Sequence, residues 1–330
     1  MSNYLTEAIE KIQGQRILVI GDMIADIYLN CSIARISREA PVLVLEQQEE
    51  KIVAGGAANV VNNAATLGGK VYAAGLLGND SGADVLLKIL GDRGVNTEAM
   101  LKDSQRPTLS KTRVIAGGRT TVSQQVVRID KECKEPMPEG LELELSEKLT
   151  KILPEIDGVV LSDYGTGTIT DKLKEQILDY CHSNSIPSIV DSRYNVKGFK
   201  GVGYVKQNDA EVSAAVGFEL NTREDIERAG KQLLKEMDAK GILVTLGGDG
   251  MMLFESNGAI HTIPVTDKSE VFDVSGAGDT CVATVILALS AGVEPKIAAE
   301  LSNFASGIAV RKMGTAVVFA DELRSIVEEI

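Results

Sequence analysis

Residues 271–292 read VFDVSGAGDTCVATVILALSAG. A short β-branched run gives way to Ser275-Gly276-Ala277-Gly278-Asp279, and the pattern predicts an apolar helix from that point. Val282, Val285, Ile286 and Leu289 fall at i, i+3, i+4 and i+7, on one buried face. Gly292 is the natural stop. Two glycines let the backbone approach another molecule closely. The first N–H groups of a helix lack internal partners and sit at its positive end, so they can hold an anion. Asp279 is the odd member, because a carboxylate repels a bound phosphate. It makes sense facing the group that attacks the phosphate, as a base for a hydroxyl. Taken alone, the stretch is also compatible with a plain helix start with an acidic first turn. The rest of the chain decides between the two.

A chain of 330 residues suits one large α/β domain or two small ones. Hydrophobic residues make up 44% and charged residues 25%, an ordinary globular balance. The formal charge of −13 argues against broad binding to nucleic acid or anionic membrane, but leaves room for a small anionic substrate held by local cations. The four cysteines (Cys31, Cys133, Cys181, Cys281) form no CxxC pair, so neither a zinc knuckle nor a disulfide framework is expected, and a cytoplasmic location is. His182 and His261 stand far apart and fit no metal-ligand spacing. The polar N-terminal residues lack a signal-peptide core, and no apolar run is suited to span a membrane.

Along the chain, Arg16–Gly21 reads as a buried strand closed by Gly21-Asp22, with Asp26 four residues later. A carboxylate just past the end of a first parallel strand is where α/β sheets place ligand contacts. Residues 28–33 and 42–46, then 109–116 and 121–129 joined by Gly117-Gly118, read as strands without intervening helices. They predict a small sheet inserted in two pieces, at about 27–52 and 108–130, that serves as a lid or pairs with its twin in a homodimer. Arg35, Lys111, Arg113 and Arg128 lie in these segments and would meet an anionic substrate if they face inward. Gly55-Gly56-Ala57-Ala58-Asn59 is a second glycine-rich helix start, and Asn59 offers both a donor and an acceptor. Beyond residue 140, strands at 158–162, 188–191, 203–206 and 242–246 alternate with helices at about 141–152, 170–184 and 222–238. Antiparallel strands at 251–255 and 259–264, and helices at about 295–312 and 321–329, complete the pattern. The expected fold is a mostly parallel sheet covered by helices on both faces, as one domain spanning 1–330 with an inserted β lid.

There is no GxxxxGK[ST] loop, and Cys281 stands where a dinucleotide fingerprint needs its third glycine. What remains is an anion cradle, an aspartate, and acidic residues able to manage Mg²⁺. Phosphoryl transfer asks for that set. On Asp273-Val274-Ser275-Gly276-Ala277-Gly278-Asp279-Thr280, on Gly55–Asn59 followed by Gly75–Gly82, and on Asn208-x-x-Glu211, the chain resembles the ribokinase-like (PfkB-type) carbohydrate kinases over nearly its whole length.

The resemblance implies a three-layer α/β sandwich using ATP and Mg²⁺. Asp279 would be the catalytic base, with the N–H groups of Gly276, Ala277 and Gly278 as anion hole. Asp26, Gly55, Gly56 and Asn59 would bind the sugar. Asn208 and Glu211 would act on the Mg–nucleotide side, with Thr245, Gly247, Gly250 and Asn303 in the nucleotide pocket. Asp273 and Ser275 resemble the start of a monovalent-cation (K⁺) loop, with Ser275 in place of the usual Thr. Ala34-Arg35-Ile36-Ser37-Arg38-Glu39-Ala40-Pro41-Val42 is similar to D-glycero-β-D-manno-heptose-7-phosphate kinases, which implies a sugar-phosphate acceptor contacted by Arg35, Lys111 and Arg113. Bifunctional relatives in that branch also carry a nucleotidyltransferase, which is not expected here. Other sugar, sugar-phosphate or nucleoside acceptors stay open. So does a non-enzymatic binding protein, although that reading predicts loss of the Asp at position 279.

Overall fold

The computed structural model describes residues 2–117, 123–266 and 272–329. Gly118 of the expected glycine joint, the first two residues of the strand read from Thr121, and Val271 lie outside the described residues.

The first half runs α1 (Ser2–Lys11), β1 (Arg16–Gly21), β2 (Met23–Ile36), β3 (Leu43–Gly56), α2 (Ala57–Thr66), β4 (Lys70–Gly78), α3 (Ser81–Gly91), β5 (Asn96–Asp103), β6 (Leu109–Gly117) and β7 (Gln124–Lys131). The second half runs α4 (Glu139–Ile152), β8 (Gly158–Asp163), α5 (Asp171–Asn184), β9 (Ser188–Ser192), β10 (Tyr204–Asn208), α6 (Asp209–Val216), α7 (Arg223–Met237), β11 (Gly241–Thr245), β12 (Met251–Glu255), β13 (Ile260–Ile263), α8 (Ala277–Ser290), α9 (Pro295–Ala309) and α10 (Ala320–Glu328).

Nine strands form the main sheet in the order β13-β12-β11-β10-β9-β8-β1-β4-β5. All neighbours are parallel except the β11-β12-β13 edge. The inner strands are apolar on both faces because helices cover both. Ile17 and Val19 of β1 point into a core shared with α1, α2, α8 and α9. Leu18 and Ile20 point into the other, shared with α4, α5 and α7. Period-two alternation thus feeds two separate cores from one strand.

From β1 the chain moves outward to β4 and β5, then resumes on the opposite side at β8. The carboxyl ends of β1 and β8 therefore flank the sheet's switch point, where open α/β sheets form their ligand crevice. Helix α8 lies over it. Its residues Asp279 to Ala288 are all buried, so the helix is enclosed on every side rather than along one face. Full burial of side chains such as Val282 and Ile286 is worth about 1.5–3 kcal/mol each.

Four strands form the second sheet, in the order β3-β2-β6-β7. β2 and β3 pair antiparallel over their length, β2 and β6 pair parallel, and β6 and β7 pair antiparallel. The hairpin is longer than its sequence pattern predicted, and Gly55 and Gly56 are its last two residues before α2. Two elements escaped the sequence reading: β5, whose residues NTEAMLKD alternate poorly, and the eight-residue α6.

Candidate active site

Gly276 caps α8 at φ 83°, in the left-handed region that favours glycine. A Cβ there would stand 2.6 Å from Asn59 Nδ2. Gly278 is bare for a different reason, since a Cβ would fall 2.7 Å from Lys206 Nζ. The start of α8 is thus pressed between an amide and an ammonium. The Ala277 N–H bonds within its own turn, to Val274 O at 3.3 Å, whereas the Gly276 and Gly278 N–H groups have no partner among the described residues.

Asp279 is 6% exposed. Asn59 Nδ2 donates to its Oδ2 at 2.8 Å, and the Tyr164 hydroxyl donates to its Oδ1 at 3.1 Å. Burial pushes the carboxyl up to about 7, with the Asp191 charge adding to it and the two donors and Lys206 opposing. A carboxyl tuned near neutral pH is suited to accept a proton from a hydroxyl. Tyr164 is held in turn by Asp22, whose Oδ2 accepts the N–H groups of Tyr164 at 2.7 Å and Thr166 at 3.3 Å. Burial and the neighbouring Asp279 raise the phenol well above its ordinary pKa, so it stays a donor.

Lys206 and Tyr164 are parts of this site that the sequence reading did not single out for it. Lys206 is 5% exposed in the interior of β10, and its Nζ donates to Asp191 Oδ2 at 2.8 Å. Burial works against the ammonium, yet the charges of Asp191 and Glu211 outweigh it and its pKa rises. Its signal in the sequence was its place two residues before Asn208, inside a strand that reads as core.

Beside Lys206 opens a cavity of about 680 Å³, lined among others by Asn208, Thr245, Gly247, Gly250, Gly278 and Asn303. The residues expected on the nucleotide side are thereby brought together, except Glu211, which is not in the lining. Their local jobs are visible. Asn208 and Glu211 form a reciprocal capping box at the start of α6, at 2.8 and 2.9 Å. Burial and the nearby Asp191 raise the Glu211 carboxyl. Asn303 Nδ2 donates to Pro264 O at 2.7 Å.

Other sequence expectations shift. Asn59, expected on the sugar, has its amide donor on Asp279 and its Oδ1 accepting from Asn63. Asp26 is buried and ion-paired to Arg113 at 2.7 Å, and its carboxylate packs against Gly55. Both oxygens of Asp273 accept backbone N–H groups, from Ser275 at 2.9 Å and Gly314 at 3.0 Å. That carboxylate works as a loop staple. Lys111 lies over the Tyr164 ring at 4.8 Å, close to the base. Arg35 does not reach the site. It is exposed near the tip of β2, nine residues beyond Asp26, which is roughly 30 Å along a strand. The period-two pattern gave its strand but not its distance.

The sequence matches the model of the pfkB family of carbohydrate kinases over residues 15–321. It is 40% identical over 315 residues to the bifunctional protein HldE of Desulfatibacillum aliphaticivorans, covering 95% of this chain and 63% of that protein. The chain thus spans less than two thirds of that relative. Among solved structures it resembles Arabidopsis thaliana ribokinase complexed with ribose and ATP, with TM-score 0.75 and 20% identity over 96% of this chain and 99% of that one. It also resembles phosphofructokinase-2 from Escherichia coli in complex with substrates and products, with TM-score 0.76 and 21% identity over 95% and 99%. These two likenesses show the ribokinase-like fold. The match of the family model over residues 15–321 establishes that the chain belongs to the pfkB family of carbohydrate kinases.

Proposed function

We propose that this carbohydrate kinase transfers the γ-phosphoryl group of ATP to the anomeric hydroxyl of D-glycero-β-D-manno-heptose 7-phosphate. The observation that carries the phosphoryl-transfer reading is Asp279, a buried carboxyl tuned to about 7 at the first turn of α8, beside the large cavity. The heptose assignment draws support from the motif at Ala34–Val42 and from the 40% identity to HldE.

In this reading Asp279 takes the proton of the acceptor hydroxyl. Asn59 and Tyr164 orient the carboxylate and keep it ionised near neutral pH. The N–H groups of Gly276 and Gly278 point at the phosphoryl group in flight, and Lys206 supplies the fixed positive charge beside them. The nucleotide occupies the cavity lined by Thr245, Gly247, Gly250 and Asn303. Asp191 and Glu211 fit Mg²⁺. Asp191 is bonded to the cavity-lining Lys206 and Glu211 follows the cavity-lining Ala210; each is a hard oxygen donor, and Glu211 is held in an environment that a cation would relieve. When bound, the ion would neutralise charge on the nucleotide phosphates.

The chain acts here as one kinase domain with the four-stranded sheet as its lid. The exposed apolar side chains Ile33, Ile36, Leu43, Val127 and Ile129 on that sheet support a homodimer formed through it. The unpaired cysteines support a cytoplasmic setting, and among the described residues no helix is long and apolar enough to cross a membrane.

An ADP-release assay with Mg²⁺ over heptose 7-phosphate, fructose 1-phosphate, fructose 6-phosphate, ribose and nucleosides tests the function. The expected outcome is the highest kcat/KM with heptose 7-phosphate. A higher value for another acceptor would reassign the substrate, and no acceptor-dependent release from any of them would sink the kinase reading.

A further inference from the structure

A second recess opens on the lid side of Tyr164, with a volume of about 60 Å³. Beside the nucleotide-side cavity it is sized for a substituent and not for a second nucleotide. Its walls bring together Lys111 from β6, Arg128 and Lys131 from β7, and Arg193 from the loop after β9. Two carboxylates, Asp130 and Glu132, share the lining. Arg128 is already bound through two nitrogens to Asp130, both at 2.9 Å, and Glu132 lies 3.5 Å from Lys134. Lys111, Lys131 and Arg193 have no carboxylate within 4.0 Å among the described residues.

Lys131 and Arg193 are exposed and solvated, and with Lys111 they make a cluster of three cations without an ion pair among the described residues, which attracts an anion and costs most where it is desolvated. The cost is highest at Lys111, which is half-buried, and burial pulls its ammonium down. A second observation points the same way. Thr166 lines the recess and is 5% exposed, yet its hydroxyl oxygen has no hydrogen-bond partner. A buried hydroxyl without a partner is costly unless a ligand supplies one.

The recess is tied to the chemistry through one side chain. Tyr164 lines it, carries Lys111 over its ring, and donates its hydroxyl to Asp279. A group in the recess therefore lies about one aromatic ring away from the proposed base. We infer that Lys111, Arg193, Lys131 and Thr166 form a subsite for a phosphate carried by the acceptor, at the end of the sugar opposite the reacting hydroxyl. This rests on the reading of Asp279 as the base. It assigns acceptor selectivity to the recess, away from Arg35 at the hairpin tip and from Arg113, which Asp26 already holds.

The test is calorimetric binding of inorganic phosphate, and separately kinetics with a sugar phosphate and its unphosphorylated parent sugar, on the unaltered protein, Arg193→Ala and Lys206→Met. Losing one charge-assisted contact predicts a roughly 10- to 100-fold weaker phosphate affinity in Arg193→Ala. It predicts the same loss in kcat/KM for the sugar phosphate, and less than about threefold change for the parent sugar. Lys206→Met should leave phosphate binding in the recess intact. Loss of phosphate binding in Lys206→Met with none in Arg193→Ala would place the anion on the nucleotide side and overturn the inference. Equal kinetic effects on both acceptors would overturn it too. The calorimetry does not depend on turnover, so it judges the recess even if the kinase reading fails. A failed kinase reading would instead show as no transfer to any acceptor by the unaltered protein.

Discussion

Replacing Tyr164 by Phe removes one atom from the site and tests how Asp279 is tuned. The ring, and with it the platform under Lys111, stays in place. What is lost is the 3.1 Å hydrogen bond to Asp279 Oδ1. A hydrogen bond to a charged group contributes about 1.5–3 kcal/mol, and its length here argues for the lower end. At about 1.4 kcal/mol per unit, the carboxyl should rise by roughly one unit. The sign follows from the donor's role. It favours the ionised form, so its loss raises the pKa, and more base is protonated at a given pH. With a starting value of about 7, the ionised fraction at pH 7 would fall from about one half to about one tenth. The rate at pH 7 should therefore fall about fivefold and recover above about pH 9. The assay is kcat/KM for the acceptor across pH 5.5 to 9.5, where the acid limb should move up by about one unit under an unchanged plateau. An acid limb that stays in place, or a plateau that drops while the limb does not move, would refute the claim that Tyr164 tunes this carboxyl.

Three further outcomes follow from the geometry. Lys206→Met should cost roughly 10²- to 10³-fold in kcat, in the range of losing one oxyanion donor, and a loss under tenfold would remove it from the phosphoryl site. Gly276→Ala forces an L-residue to φ 83° and drives a Cβ toward the amide that holds Asp279. Left-handed backbone alone costs about 1–2 kcal/mol, so thermal denaturation should show a lower Tm and the assay a large loss of turnover; unchanged values would mean that the helix start relaxes freely. Asp279→Asn should stabilise the fold in a pH-dependent way. The folded carboxyl sits near 7 against an ordinary 3.8, so the unfolded chain gives up its proton first as pH rises. The native state is penalised progressively from about pH 4, with the full cost, on the order of 4 kcal/mol, above about pH 7. The stability gap in the variant's favour should widen over that window in chemical denaturation, and a gap independent of pH would contradict the raised value.

Much of this could be read from sequence because buried parallel strands and glycine-rich helix starts leave strong local marks. The run at Arg16–Gly21 is apolar on both faces because both faces are covered, and it lies inside the sheet between β8 and β4. The glycine-rich run at Gly55–Asn59 does open a helix, α2, which starts at Ala57. The failures are equally physical. Lys206 is hidden because a lysine inside a strand gives no sign of pointing into a cavity. Asn59 reads as a sugar ligand because its amide can serve either side, and the bond from that amide to Asp279 stayed hidden because it depends on the approach of α8. Arg35 and Lys111 looked equivalent on inserted strands. A hairpin of two 14-residue strands carries the first away from the crevice, while the parallel pairing of β2 with β6 sets the second beside Asp26. The recess around Lys111 joins residues 111, 128, 131, 166 and 193, a separation in sequence that no local pattern reports.

Asp279 is proposed to remove the proton of the acceptor hydroxyl. The most direct test of that role is single-turnover phosphoryl transfer by Asp279→Asn at saturating ATP and acceptor, with nucleotide affinity measured on the same preparation. General-base catalysis of this kind contributes about 10²- to 10⁴-fold. A loss of that size is expected, with nucleotide affinity changed by less than about threefold. Transfer within tenfold of the unaltered protein, with nucleotide binding intact, would contradict it.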